Sequence, residues 1–188
     1  RLEVLLDELR RSYDVTCAAG YSIEAAGDER SDAGALLDEA ISAAGGADAV
    51  VMLVGLPGAA ESEGFDRTHM DLPPDQLAVL AAVAAANPRV VTVVVNGSAV
   101  LLDDVVTHSA AVLEAWLGGQ AAAGGIADVL SGAVNPSGRL AETIPHRLED
   151  NPSHLSFPGD SQVVRYGEGI FVGYRGYDQS VRDVAFPF

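Results

Sequence analysis

The sequence holds a single cysteine, Cys17, so an intrachain disulfide and a thiolate metal site are both excluded. Its strand-like setting reads as that of a small buried hydrophobe. Basic residues are scarce as well: eleven stand against 27 acidic ones, for a net charge of −16. They form no cluster, so a phosphate backbone or an anionic membrane surface is repelled overall, and neither nucleic acid nor membrane is an expected partner. No apolar run approaches the roughly 18 residues of a membrane span, although 48% of the residues are apolar and the mean hydropathy is +0.20. The pattern is that of a globular chain, and it leaves cytoplasmic and secreted locations equally open.

Several motifs are missing too. Gly55-Leu56-Pro57-Gly58 follows an apolar run, but there is no GxxxxGK[ST], no GxGxxG and no helix directly behind the glycines, which argues against a nucleotide. Ser62 and Ser98 lie outside any GxSxG and no histidine is placed to serve as their base, which argues against a serine hydrolase. His69, His108, His146 and His154 are scattered, with no two at metal-ligand spacing, so they read as structural or exposed. No cofactor and no metal are expected.

What is present is a chain of 188 residues, a length that suits one domain with a substantial core. It begins at Arg1 inside a helical pattern and stops at Phe188 inside an apolar stretch, so residues 1–188 are expected to be one domain of a larger protein, cut at both ends. Leu2, Leu5, Leu6 and Leu9 recur at helical spacing, and Val15 to Ala19 reads as a short strand. Ser31 or Asp32 is a suitable N-cap for a helix carrying Leu36, Leu37, Ala40 and Ile41 inward, closed by Gly45 and Gly46. Val50 to Val54 is an unbroken apolar run of the kind found in parallel strands covered on both faces. Pro73 and Pro74 suit a first helical turn, and Leu77, Leu80, Ala81 and Ala84 give the next helix its stripe.

Val90 to Val95 is β-branched throughout and predicts a strand. Ala110 to Leu117 predicts another, and the helix that follows carries Ile126, Val129 and Leu130 before Gly132 ends it. Strands alternating with helices indicate βαβ units with right-handed crossovers and a mainly parallel sheet. Arg139 to Ile144 reads as one last strand, and residues 145–188 as an irregular tail packed on the domain. Tyr166 to Tyr177, YGEGIFVGYRGY, holds three of the five tyrosines and reads either as a packed tail or as the lining of a pocket.

Between the second and third strands lies GLPGAAESEGFDRTHMDLP. A buried strand that ends in glycine and hands Glu61, Glu63, Asp66 and Arg67 to one loop places ionisable groups where open α/β sheets keep their sites. Carboxylates at a pocket rim are what acid/base chemistry at a glycosidic or acyl bond requires, since a nearby apolar wall or second negative charge keeps a carboxyl protonated at neutral pH. A solvated acidic loop is the alternative reading. Asp66 and Arg67 read as an ion pair or, with the donors of the guanidinium tying loop carbonyls together, as a brace.

The succession VVMLVGLPGAAESEGFDRTHMDLPPDQ, VVTVVVNGSAV, AWLGGQAAAGGIADVLSGAVNPSGRLAETIP and YGEGIFVGYRGYD with a closing FPF resembles the C-terminal domain of family 3 glycoside hydrolases, the β-glucosidase type, in order from about Ala49 to Phe188. The resemblance implies a three-layer α/β/α sandwich of the six-strand (α/β)6 type, packed beside a (β/α)8 barrel in the intact enzyme. It also implies a retaining exo-glycosidase acting on a β-glucoside or related carbohydrate. There an aspartate of the barrel attacks the anomeric carbon and a glutamate of this domain's loop protonates the departing oxygen. The family places that acid/base six residues after the glycine ending the strand, which points to Glu61. Glu63, directly before Gly64, is the competitor. Asp66 and Arg67 match the family's DR pair, which anchors the loop. The barrel and its nucleophile are not among these 188 residues, and an α/β sandwich serving only binding or assembly is the alternative from another class.

Overall fold

Val90–Val95 carries a β-branched side chain at every position, which favours a pleated backbone, and in the computed structural model it is the central strand of a three-stranded parallel sheet. The structure describes residues 4–23, 33–64, 66–160 and 162–188. The strands are β1 (Val50–Gly55), β2 (Val90–Val95) and β3 (Ala111–Glu114), in the order β1-β2-β3. Val54 lies opposite Val94, and Val94 opposite Glu114. Val93 and Val94 of β2 are both fully buried. Successive strand residues point to opposite faces, so both faces of the sheet are covered, as a three-layer α/β sandwich requires. The cover comes from helices α1 (Leu5–Leu9), α2 (Ala33–Gly46), α3 (Pro74–Ala86), α4 (Asp103–Thr107) and α5 (Ala122–Ser131), with α2 packed on α3 and α1 on α5.

The chain divides into two compact units. The first is Arg1–Phe65, Leu72–Ser98 and Asp104–Ser137; the second is Asp66–Asp71, Ala99–Asp103 and Gly138–Phe188. In the first unit, the groups on the outward edge of β1 are taken by side chains. Tyr21 Oη donates to Leu53 O at 2.8 Å. The Gln76 amide accepts from Gly55 N at 2.8 Å and donates to Gly55 O at 3.0 Å, as a neighbouring strand would. This blunts a strand edge that would otherwise invite pairing with another chain. Asn87 plays a similar part after α3: its Nδ2 donates to the carbonyls of Ala44, in the last turn of α2, and of Ala47, just past its end, and its Oδ1 accepts from Arg89 N at the entry to β2.

Several expectations are corrected. Val15 to Ala19 is not a strand: only Val15 and Thr16 are β-branched, and the Leu53 and Gly55 groups that a neighbouring strand would use are already bonded. Cys17 within it is exposed, not buried. The inward stripe of α3 is Gln76, Val79, Leu80 and Val83 rather than the Leu77, Leu80, Ala81 and Ala84 set. The helix is apolar nearly all round, so its bulkier valines and the Gln76 hydrogen bonds choose the face. The sheet has three strands among the described residues, against the six that the resemblance implies. Arg139 to Ile144 makes one antiparallel bridge, Ile144 with Phe186, because the Phe188 N–H that would extend the ladder goes instead to Thr143 Oγ1 at 3.3 Å. Gly132 does end α5, in the left-handed region at φ +76°. The Ser31 or Asp32 cap lies outside the described residues.

In the second unit, α6 (Tyr174–Ser180) buries Tyr177 and leaves Tyr174 stacked on Phe188, with ring centroids 4.9 Å apart. The glycine-aromatic segment is therefore divided, since Tyr166 is 81% and Ile170 72% exposed. Asp150 anchors this unit. Its buried carboxylate accepts from Arg147 Nε at 2.9 Å and from Arg182 Nη1. Burial pushes the Asp150 carboxyl up, but the hydrogen bonds from Arg182 and Arg147 outweigh it and hold the group below its usual value. A carboxyl depressed in the folded state contributes stability above its unfolded value of about 3.9, and that contribution is lost as pH falls through the folded value.

Two stability predictions follow from these contacts. Both arginines are largely exposed, so Asp150→Asn is expected to cost about 1–2 kcal/mol at pH 7, and to flatten the acid-side loss of stability below about pH 4 in urea unfolding followed across pH. A Cβ on Gly55 would sit 2.1 Å from Val95 O. That contact is backbone and cannot rotate away, so Gly55→Ala is expected to cost about 2–3 kcal/mol and to lower the melting temperature by roughly 5–10 °C.

Candidate active site

Because β1 and β2 run parallel and end opposite one another, Gly55 against Val95, the loops that follow them leave the sheet at the same end. That is the carboxyl end, where open α/β sheets bind ligands. Leaving Gly55, the chain turns at once: the Pro57 carbonyl accepts from Ala60 N at 2.8 Å and from Glu61 N at 3.1 Å. The turn brings Glu61 back toward the loop after β2, Asn96-Gly97-Ser98. Glu61 Oε2 accepts from Gly97 N at 2.7 Å, and Oε1 accepts from Ser98 Oγ at 2.8 Å. Asn96, fully buried at the end of β2, donates from Nδ2 to Ser98 O at 2.9 Å and fixes the receiving loop. Gly97 has no side chain to spare here, since a Cβ would lie 3.1 Å from the Glu61 carboxylate.

Glu63 is placed differently. It is exposed, and its side chain has no hydrogen bond or ion pair among the described residues. Gly64 follows it with φ +99°, a left-handed conformation that glycine adopts without strain. The loop thus presents one carboxylate with both oxygens engaged and another facing solvent.

The second unit holds the other two loop residues that the sequence singles out. Arg67 Nη2 donates to Ala99 O at 2.9 Å, and Leu101 N donates to Met70 O at 2.9 Å, so the segments 66–71 and 99–103 are tied together. Asp66 is exposed. A cavity of about 400 Å³ in this unit, lined among others by Glu142, Asn151, Tyr174 and Phe188, contains none of the four. Among the described residues no three His, Cys, Asp or Glu side chains converge as a metal site would need, and no helix is long and apolar enough to cross a membrane.

Residues 5–174 match the family model of the glycosyl hydrolase family 3 C-terminal domain. The chain belongs to that family. It is 44% identical over its whole length to thermostable beta-glucosidase B of Acetivibrio thermocellus, of which it covers 25%. It is 48% identical, over 82% of its length, to an exo-alpha-(1->6)-L-arabinopyranosidase of Bifidobacterium longum, covering 20% of that protein. The crystal structure of a Bifidobacterium adolescentis GH3 beta-glucosidase superposes on all of it with a TM-score of 0.93 at 44% identity, and the chain covers 27% of that structure. This family 3 domain therefore spans between a fifth and just over a quarter of these three proteins.

Sequence reasoning found the loop and its carboxylates but not the residues that hold Glu61. Ser98 lies outside any nucleophile motif, and the Asn96-Gly97 pair behind the strand carries no local sign of a role. The signal that points to them is positional: an Asn-Gly-Ser turn directly behind the neighbouring parallel strand opens at the same sheet end as the glutamates.

Proposed function

We propose that this family 3 domain supplies the general acid/base of a retaining, exo-acting β-glucosidase-like glycoside hydrolase, at a site shared with a (β/α)8 barrel of the same full-length protein. The observation that carries this reading is the pair of differently held glutamates at the carboxyl end of the sheet. In such a reaction the acid donates a proton to the departing glycosidic oxygen while an aspartate of the barrel attacks the anomeric carbon. The same residue then takes a proton from the water that releases the sugar. Retention calls for the two carboxyls to be about 5–5.5 Å apart, so the acid must extend away from its own domain.

Spacing from Gly55 favours Glu61 for this role, whereas the geometry favours Glu63. The Glu61 carboxylate is turned back onto Gly97 and Ser98, each oxygen accepting a hydrogen bond, while Glu63 is exposed. Exposed apolar side chains in the second unit, Leu155 at 96%, Tyr166 at 81% and Ile170 at 72%, support a partner that covers them. Asp66 and Arg67 are assigned to loop support.

The relatives carry two substrate names, β-glucosides and α-L-arabinopyranosides. Both kinds of glycoside hold the glycosidic oxygen equatorially, so one acid/base serves either and the barrel selects the sugar.

On this reading the 188-residue chain alone has no nucleophile, and it is expected not to turn over p-nitrophenyl β-glucoside above a Glu63→Ala control. In the full-length protein, Glu63→Ala is expected to lower kcat/KM by about 10²–10⁴-fold on a glycoside with a poor leaving group. Added azide is expected to restore turnover of an activated aryl glycoside. The same signature in Glu61→Ala instead would move the role to Glu61, and its absence from both variants would leave a domain for binding or assembly.

A further inference from the structure

Glu61 has the character of a fastener. It lies on a loop without regular structure, yet both its oxygens are engaged by a segment 36 and 37 residues away in sequence. Gly97 and Ser98 receive it, and Asn96 supports them. Gly97 offers its backbone N–H and leaves room where a Cβ would crowd the carboxylate to 3.1 Å. Ser98 supplies the hydroxyl. Asn96, itself fully buried, holds the Ser98 carbonyl at 2.9 Å and so fixes the direction of that residue's backbone. The pair Glu61 and Ser98 thereby ties the loop after β1 to the end of the adjacent strand, two residues before Glu63.

We propose that Glu61, latched to Gly97 and Ser98, is a positioning residue that fixes the loop from which Glu63 protonates the leaving group. This rests on the assignment of Glu63 made above. A proton donor must meet its acceptor at hydrogen-bond distance, and a displacement of about 1 Å from productive geometry costs on the order of 10²-fold in rate. The glutamate two residues from a fixed point has little freedom to wander, whereas at the tip of an untethered loop it would sample many positions. The latch serves both proton transfers made by Glu63, and because kcat/KM of a retaining enzyme reports the first of them, its loss lowers kcat/KM only where the leaving oxygen needs a proton.

The chemistry of the latch sets the test. An amide in place of the carboxylate still accepts from Gly97 N through its oxygen, and its NH₂ donates to Ser98 Oγ, a hydroxyl that accepts as well as it donates. Glu61→Gln therefore preserves the latch, while Glu61→Ala and Ser98→Ala break it. In the full-length protein, Glu61→Ala and Ser98→Ala are expected to lower kcat/KM for an alkyl β-glucoside by about 30–100-fold. Their effect on 2,4-dinitrophenyl β-glucoside, whose phenolate leaves without a proton, is expected to stay within about threefold, and Glu61→Gln within about fivefold on both. With Glu63→Ala in the background, Ser98→Ala is expected to add no further loss on the alkyl glucoside.

Equal losses on the two substrates would mean a general structural role and would overturn the proposal, as would no loss at all. A Glu61→Gln variant as impaired as Glu61→Ala and rescued by azide would make Glu61 the proton donor itself. Glu63→Ala measured alongside separates the two levels: if it lacks the leaving-group dependence, the acid/base assignment fails. If it shows that dependence while the latch variants do not, only the positioning role fails.

Discussion

The parallel pairing of β1 with β2, closed at its end by Gly55 against Val95, is the constraint on which the candidate site depends. It decides that two loops distant in sequence emerge side by side at the carboxyl end of one sheet. A side chain on Gly55 would meet the Val95 carbonyl at 2.1 Å, so the approach that sets this register is available only to glycine. Everything proposed for the site follows from that adjacency: the turn at Pro57 points Glu61 across the strand ends, and the loop after β2 is there to receive it. The loop carrying the glutamates needs no secondary structure of its own because charge-assisted hydrogen bonds, among the stronger kind, fasten it to a rigid neighbour.

The same sheet shows how this chain handles polar groups it cannot leave unpaired. A buried glutamine is costly unless its amide is satisfied, and Gln76 is satisfied by Gly55, a strand residue whose own N–H and C=O would otherwise face an open edge. Buried Asn87 closes carbonyls at the end of α2 in the same way. In the second unit the buried charge of Asp150 is matched by two arginines. Each solution couples a helix or turn to a distant segment, so the polar interior fixes topology as well as satisfying hydrogen bonds.

How much of this was legible follows the range of the interactions. The strands Val50–Gly55 and Val90–Val95 are announced by runs of apolar and β-branched residues, and the end of α5 by Gly132, because those signals are local. The alternation of strand and helix likewise gave the parallel α/β class before any coordinate. The face of α3 was not legible. An alanine-rich helix has no polar side to oppose, and what turns it is Gln76 reaching Gly55, 21 residues away. Val15 to Ala19 failed as a strand for a related reason, since strandedness needs a free partner edge that no local pattern reports. For the site, spacing located the carboxylates. It was silent on how they are held, because the partners of Glu61 lie across the sheet and become its neighbours only through the fold.

That division bears on what the domain contributes to an enzyme. A chain 44% identical to a β-glucosidase and 48% identical to an arabinopyranosidase is about equally close to proteins named for different sugars, so overall likeness of this domain does not track sugar identity. What such reactions share is the need to protonate a departing equatorial oxygen and then to activate water along the same line. On the proposed assignment, a loop that ties down one carboxylate and exposes another two residues on meets that shared need whatever the sugar ring. If, as proposed, the proton donor lies on this domain and the nucleophile on another, their separation is a property of how the domains dock. On that proposal, the attachment of this loop to the strand end through Glu61, Gly97 and Ser98 is what would carry a docking geometry to a single carboxyl group.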